Sequence, residues 1–287
     1  MNIRKKLLVS LVCCMPFACD SADAQSSAAP TPEQAETTDA QGSSLVTGED
    51  SGNRTSIHES YDELLRETVS LGVVNYTALA KQRPRLQKYL EELSAIDPNS
   101  LDRNAKLAFW INAYNAFTLE LILEHLGRIE SIKDISSSKR WKDKRWLISG
   151  RSYSLDEIEH EILRPMQEPR IHFALVCASR SCPDLQPEAF LPEDLDAQLA
   201  SATRGFLANP EKGMQTRIEE SFFGGKTPTL LLSRIFDWFE GDFEKNGSEV
   251  VDFVLQYAPT QEAAFINRNR ADLDVEYLDY DWSLNGS

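Results

Sequence analysis

Two cysteines, Cys177 and Cys182, and four histidines, His58, His125, His160 and His172, are the side chains after residue 24 best suited to nucleophilic and acid–base chemistry. Cys177 closes the apolar run Ile171–Val176, which lies between Pro169 and Pro183 and has no helical period. The spacing predicts a short buried strand with the thiol at its tip. A nucleophile at the end of a rigid buried element is held still and yet exposed. Thiol catalysis also needs a base within hydrogen-bond reach and a third group to orient that base.

Cys177 is the better nucleophile, because Cys182 sits against Pro183 and farther from the apolar run. Of the histidines, His58 reads as a solvated group at the domain's edge. His125 ends a long helical stretch, where a cation suits the helix dipole. His172 lies an odd number of residues from Cys177 on the expected strand and so points to the opposite face. It reads as a core histidine bonded to a carbonyl, or as a substrate-binding group. His160 is left as the base, with Asn115 or Glu159 as its orienter. Glu159 does not face its neighbour His160 directly on a helix, and its plainer role is an ion pair with Arg164. Asn112 and Asn115 are three apart and share a helix face; a buried amide without partners costs about 1–3 kcal/mol, so both are bonded to something. They either tie down backbone or serve the site, Asn115 by orienting an imidazole or stabilising an oxyanion. Asn112, His172 and Arg180 form the candidate substrate-binding set. Two alternatives stand beside this reading: a Cys177–Cys182 disulfide and an inert buried thiol. No metal is expected, since a close cysteine pair and a second ligand cluster are both missing, and no cofactor is expected. A serine site would need Gly-x-Ser-x-Gly, which does not occur.

The elements that must position these groups alternate without a strict rhythm. A short amphipathic helix around Tyr61–Leu65 is followed by an extended piece at Val73–Tyr76. Leu86, Leu90, Leu93 and Ile96 predict a helix over 77–95, bent near Pro84. Residues 104–126 carry apolar side chains all round, which predicts a central buried helix. A loop over 131–145 leads to a hairpin turning at Gly150, and then to a helix capped by Ser154 or Asp156 that ends before Pro165. Further helices are expected over 192–208, 230–239 and 250–257, a strand and turn over 213–225, and a half-buried strand over 275–282. The class is α+β: a single domain with a central buried helix and a small mixed or antiparallel sheet.

The first 24 residues have the parts of an export signal: Arg4-Lys5-Lys6, an apolar run Leu7–Ala18 too short to span a bilayer, and small residues Ala22 and Ala24 before a cut. Ala18-Cys19 is an alternative lipidation site, the one route by which a membrane enters. Residues 25–56 are rich in Ser, Thr, Ala, Gln, Pro and Gly and read as a disordered linker. The domain then occupies 57–287. Net charge is −15, and −16 once three basic and two acidic residues of the signal are removed. Such a surface repels nucleic acid and argues against it as a partner.

The blocks Phe109–Ala116, Tyr153–His160 with Ile162–Arg164, Arg170–Cys177 and Tyr280–Asn285 resemble the family called domain of unknown function 547, in order and from about residue 60 to the end. The resemblance implies a fold and no activity. In plant members of that family the position matching Cys177 is often kept and that of Cys182 lost, which argues for the first thiol and against an obligatory disulfide.

Two functions follow as expectations. One is an exported, periplasmic or envelope-associated thiol hydrolase or acyl-transferase acting on an amide-like bond, with a peptide or cell-wall-derived substrate. The other is a non-catalytic envelope binding or adaptor domain with a Cys177–Cys182 disulfide.

Overall fold

The computed structural model describes residues 57–221, 224–244 and 248–287. The export signal, the lipidation site and the linker lie outside the described residues.

Helix α1 (Glu59–Thr68) buries Tyr61, Leu64 and Leu65. It runs into a two-strand hairpin, β1 (Val69–Ser70) and β2 (Val73–Val74), whose turn places Leu71 and Gly72 at φ 50° and 78°. Gly72 serves twice: it adopts the left-handed turn, and a Cβ there would overlap the Asp184 side chain. The stretch expected to be one bent helix is two, α2 (Tyr76–Lys81) and α3 (Arg83–Ser94). Pro84 lies in the first turn of α3, where its missing N–H costs nothing, so it starts a helix rather than bending one.

Helix α4 (Arg103–His125) is the central buried helix that the sequence predicts, capped by Asp102 accepting from Ala105 N–H at 2.9 Å. His125 ends it, and its Nδ1 lies 2.9 Å from Leu121 O. His58 departs from expectation. It is 4% exposed, with Nδ1 2.7 Å from Tyr89 Oη, because α1 and α3 pack over it. The expected loop contains a short α5 (Ser137–Arg140), and the expected hairpin is present as β3 (Trp146–Ile148) and β4 (Arg151–Tyr153).

Ser154 caps α6 (Leu155–Glu157), accepting from Glu157 N–H at 3.1 Å. The helix then widens into a π-helical turn over Ile158–Leu163 and tightens to a 3₁₀ turn over Arg164–Met166. Pro165 begins that last turn, so the chain continues through it.

The apolar run before Cys177 is no strand. Pro169–Phe173 form a 3₁₀ helix, and Ala174–Val176 are irregular. Two hydrophobic cores explain why. Ile171, Ala174, Leu175 and Val176 belong to the core around α4, whereas Phe173 belongs to a second core of Phe206, Leu230, Phe236, Phe243 and Phe253. The run is apolar because both sides are covered, a pattern that cannot tell a strand from any other doubly buried segment. Its backbone is satisfied by a side chain instead of a ladder. Asn115 Nδ2 donates to Ala174 O at 2.9 Å, and Val176 N–H donates to Asn115 Oδ1 at 2.9 Å.

The second core gathers α7 (Leu195–Leu207), β5 (Met214–Glu220), β6 (Lys226–Leu232), α8 (Arg234–Trp238), α9 (Glu240–Phe243), α10 (Val250–Tyr257), α11 (Thr260–Asn269) and β7 (Asp274–Tyr277). β6 pairs antiparallel with β5 and parallel with β7, a small mixed sheet. Leu230–Leu232, expected to open a helix, end β6 instead, and Ser233 caps the much shorter α8. α11 leaves no apolar period in the sequence, since Ile266 is its one buried residue. β7 is shorter than expected and mostly exposed: it lies at the sheet edge, so its apolar–acidic alternation marks no buried face. Beyond it, Leu278–Ser287 cross back to the first core, where Ser283 bridges to Ser131, Leu284 to Ser179 and Gly286 to Val74. Among the described residues, no helix is long and apolar enough to cross a membrane.

Candidate functional site

Where the segment joining the two cores ends, a cavity of about 190 Å³ opens between them. Its walls come from α4 (Tyr114), the π-helical turn (Glu159, His160), the thiol loop (Cys177, Cys182), α8 and the residue after it (Trp238, Phe239), and the final segment (Tyr280, Trp282). Trp238, Tyr280 and Trp282 pack together with ring centres 4.5–5.6 Å apart.

The thiol loop is short and tightly specified. Ala178 takes the left-handed φ of 59°, and Cys182 N–H donates to Ser179 O at 3.1 Å. Residues 178–181 are laced to the final segment. Arg180 N–H donates to Ser283 O (2.8 Å), Ser181 N–H to Asp281 O (3.1 Å), and Asn285 N–H to Ala178 O (3.1 Å). Lys212 Nζ donates to Cys182 O at 2.9 Å and to Asp184 Oδ1 at 2.6 Å, which fixes the loop's far end.

Both cysteines are free thiols, so the bridge left open by the sequence is not formed. Cys177 is half-buried and Cys182 buried. Cys182 Sγ accepts the Cys177 N–H at 2.9 Å. Cys177 Sγ lies 3.0 Å from Ser179 Oγ and 3.4 Å from Tyr280 Oη, and these two hydroxyls are 3.0 Å from each other. The Cys182 thiol foremost, and then the Ser179 and Tyr280 hydroxyls, favour the anion and overcome burial, bringing the Cys177 pKa down to about 6. Burial drives Cys182 the other way, well above the ordinary thiol range. The two sulfurs are thus pushed in opposite directions, Cys177 toward the thiolate and Cys182 toward the thiol.

His160 shares the cavity with Cys177, but no imidazole hydrogen-bonds Cys177 Sγ among the described residues. Arg164 Nη1 lies 3.1 Å from His160 Nδ1, and a guanidinium can only donate. Nδ1 is therefore the acceptor, and the proton of the neutral ring sits on Nε2, 3.9 Å from Asp156 Oδ1. As held, His160 is a donor rather than the expected base. The hydrogen-bond partner of Glu159 is Tyr114 rather than His160: Tyr114 Oη donates to Glu159 Oε2 at 3.2 Å, and burial raises the carboxyl's pKa against the pull of His160. Arg164 pairs with Asp242 (2.6 Å) instead of the expected Glu159.

His172 is buried with its ring stacked on Phe239, centroids 4.0 Å apart, and Nε2 2.8 Å from Asp242 Oδ2. Its partner is a carboxylate rather than the expected carbonyl, and the opposite-face argument lapses with the strand. Burial lowers the imidazole's pKa against the pull of Asp242. Partial burial would raise the Asp242 carboxyl, but hydrogen bonds from His172 and Arg164 hold it far below the usual range.

Neither asparagine reaches the site. Asn115 is committed to the backbone at residues 174 and 176, so it orients no imidazole. Asn112 Nδ2 donates to Phe190 O at 2.8 Å and its Oδ1 accepts Phe190 N–H at 3.0 Å, and the side chain is buried away from the cavity. Arg180 is exposed and does not line the cavity. Tyr280, Ser179, Tyr114 and Asp242 join the site without having been expected there. Tyr280 and Tyr114 lie within the resembling blocks, whereas nothing local marked Asp242. Among the described residues, no group of three or more His, Cys, Asp or Glu is placed to hold a metal ion.

Residues 98–207, which run from just before α4 to the end of α7, match the model of the family described as Protein of unknown function, DUF547. The chain carries a DUF547 domain. The match is shorter than the resemblance in the sequence: within it fall Tyr114, Glu159, His160 and both thiols, and outside it fall Asp242 and Tyr280. The site is thus assembled from the DUF547 segment and from elements that follow it. No curated protein and no solved structure matches this chain.

Proposed function

We propose that this chain is a thiol-dependent hydrolase or acyl-transferase acting on an amide-like bond, with Cys177 as nucleophile. The observation that carries the reading is Cys177 itself, half-buried on a cavity wall beside three groups that favour its thiolate. A thiol already ionised needs no imidazole to take its proton, so the missing cysteine–histidine bond does not weigh against attack. The thiolate adds to the carbonyl carbon. The Tyr280 and Ser179 hydroxyls, released from the sulfur as its charge leaves, donate to the oxygen that gains it. The partly buried Glu159 carboxyl, whose pKa burial raises, is the donor to the departing amine, and His160 Nε2–H at the cavity's edge is the second donor. Water or an amine then takes the acyl group from the sulfur. A peptide or cell-wall-derived acyl donor and a place outside the cytoplasm belong to the same proposal, the latter resting on the form of residues 1–24.

The test is made on reduced protein with an activated acyl ester as probe. An acyl adduct on Cys177, seen by intact mass and mapped by digestion, is expected together with release of the leaving group. Cys177→Ala should abolish both. Turnover that survives Cys177→Ala would end the proposal. The aromatic lining supports a second reading, a non-catalytic binding site; there, ligands would bind Cys177→Ala as they bind the parent and no adduct would form.

A further inference from the structure

Acyl transfer uses one sulfur, yet two stand together at this site. They differ as an attacking and a resolving thiol must. Cys177 is half-buried on the cavity wall, whereas Cys182 is 3% exposed and reaches the cavity beside it. The left-handed turn at Ala178 folds the loop back until Cys182 Sγ touches the Cys177 N–H at 2.9 Å, so the buried sulfur lies against the residue that carries the reachable one. The loop's ends are held by the final segment and by Lys212, which keeps the two residues together.

We propose that Cys177 and Cys182 form a redox-active pair that exchanges with an external disulfide of a low-molecular-weight thiol, Cys177 attacking and Cys182 resolving. The Cys177 thiolate attacks one sulfur of the external disulfide; that S–S bond breaks, a mixed disulfide forms on Cys177, and one thiolate leaves. Cys182 then gives up its proton to solvent and attacks Cys177 Sγ, expelling the second thiolate. The protein loses two electrons, the external disulfide gains them, and both expelled thiolates take up protons from solvent or stay ionised according to their own pKa. The reachable sulfur carries the charge needed for attack, and the buried one stays protonated until the mixed disulfide is made, which orders the two steps. The oxidised form has no free nucleophile, so acyl transfer and disulfide exchange exclude each other in time.

The experiment exposes the reduced chain to a graded series of oxidised to reduced glutathione and reads intact mass after acid quench. The parent should pass to a species lighter by two hydrogens, with no lasting glutathione adduct. Cys182→Ala should stop at one glutathione on Cys177, and Cys177→Ala should take up none at a comparable rate. Because Cys182 Sγ accepts a backbone N–H, Cys182→Ser, which keeps an acceptor there, is measured alongside and should give the same adduct. A parent that stays fully reduced at every ratio, or that keeps glutathione on Cys177, overturns the proposal. Acyl transfer is read separately on fully reduced protein, so a chain that exchanges but never acylates sinks only the hydrolase reading, and the reverse outcome sinks only this one.

Discussion

At the residue scale, the reactivity of Cys177 is set by hydrogen bonds to its sulfur. Its pKa of about 6 lies below the ordinary thiol value of 9.0, so the thiolate is the major form above about pH 6. The sign is definite: alkylation by iodoacetamide should rise about tenfold per pH unit below pH 6 and level off above it, since the thiolate is the reacting species. Tyr280→Phe and Ser179→Ala each remove one donor to the anion, and each should move the midpoint upward. A midpoint that stays near the ordinary thiol range in the parent would show that these donors do not govern the sulfur. Cys182 should alkylate far more slowly throughout, being both buried and protonated.

Among the elements, α4 matters most to the site even though few of its side chains touch the cavity. Asn115, on its buried face, replaces a β-ladder for the segment that delivers Cys177. Asn115→Ala would leave Ala174 O and Val176 N–H buried and unpaired, at about 1–3 kcal/mol each. Urea unfolding should therefore show a loss of about 2–6 kcal/mol, with Cys177 alkylation altered in step. Asn112→Ala should cost a similar amount and leave Cys177 alkylation unchanged, because its partner is Phe190, remote from the thiol along the chain. Much of this layer was legible in the sequence. Helix α4, the Gly150 hairpin and the Ser154 cap follow from periodicity and turn chemistry that act locally. The segment before Cys177 is not legible, because burial on both sides erases the alternation that separates strand from irregular chain. Leu230–Leu232 failed for the same reason, three leucines fitting either state until β5 is found beside them. His160 lines the thiol's cavity, but its proton is placed by Arg164, a through-space fact of the folded turn. Tyr280 and Asp242 are likewise brought in from far along the chain, where local pattern has no purchase.

For the whole molecule, the final segment holds the site together. Leu278–Ser287 leave the mixed sheet of the second core, bond to the thiol loop and end against β2 in the first core. A chain stopped after Asp279 should lose stability and also lose the Tyr280 donor. Its Cys177 alkylation midpoint is then expected to rise at least as far as in Tyr280→Phe, which separates the donor's contribution from that of the backbone lacing. An unchanged midpoint in the shortened chain would mean that the lacing serves stability alone.

Cys177 and the hydroxyl that completes its surroundings are 103 residues apart in the chain. During synthesis the sulfur therefore emerges long before Tyr280, and until that tyrosine docks it lacks one of the donors that sharpen it. A half-made polypeptide thus carries a comparatively blunt thiol, and its full edge comes only with a finished fold.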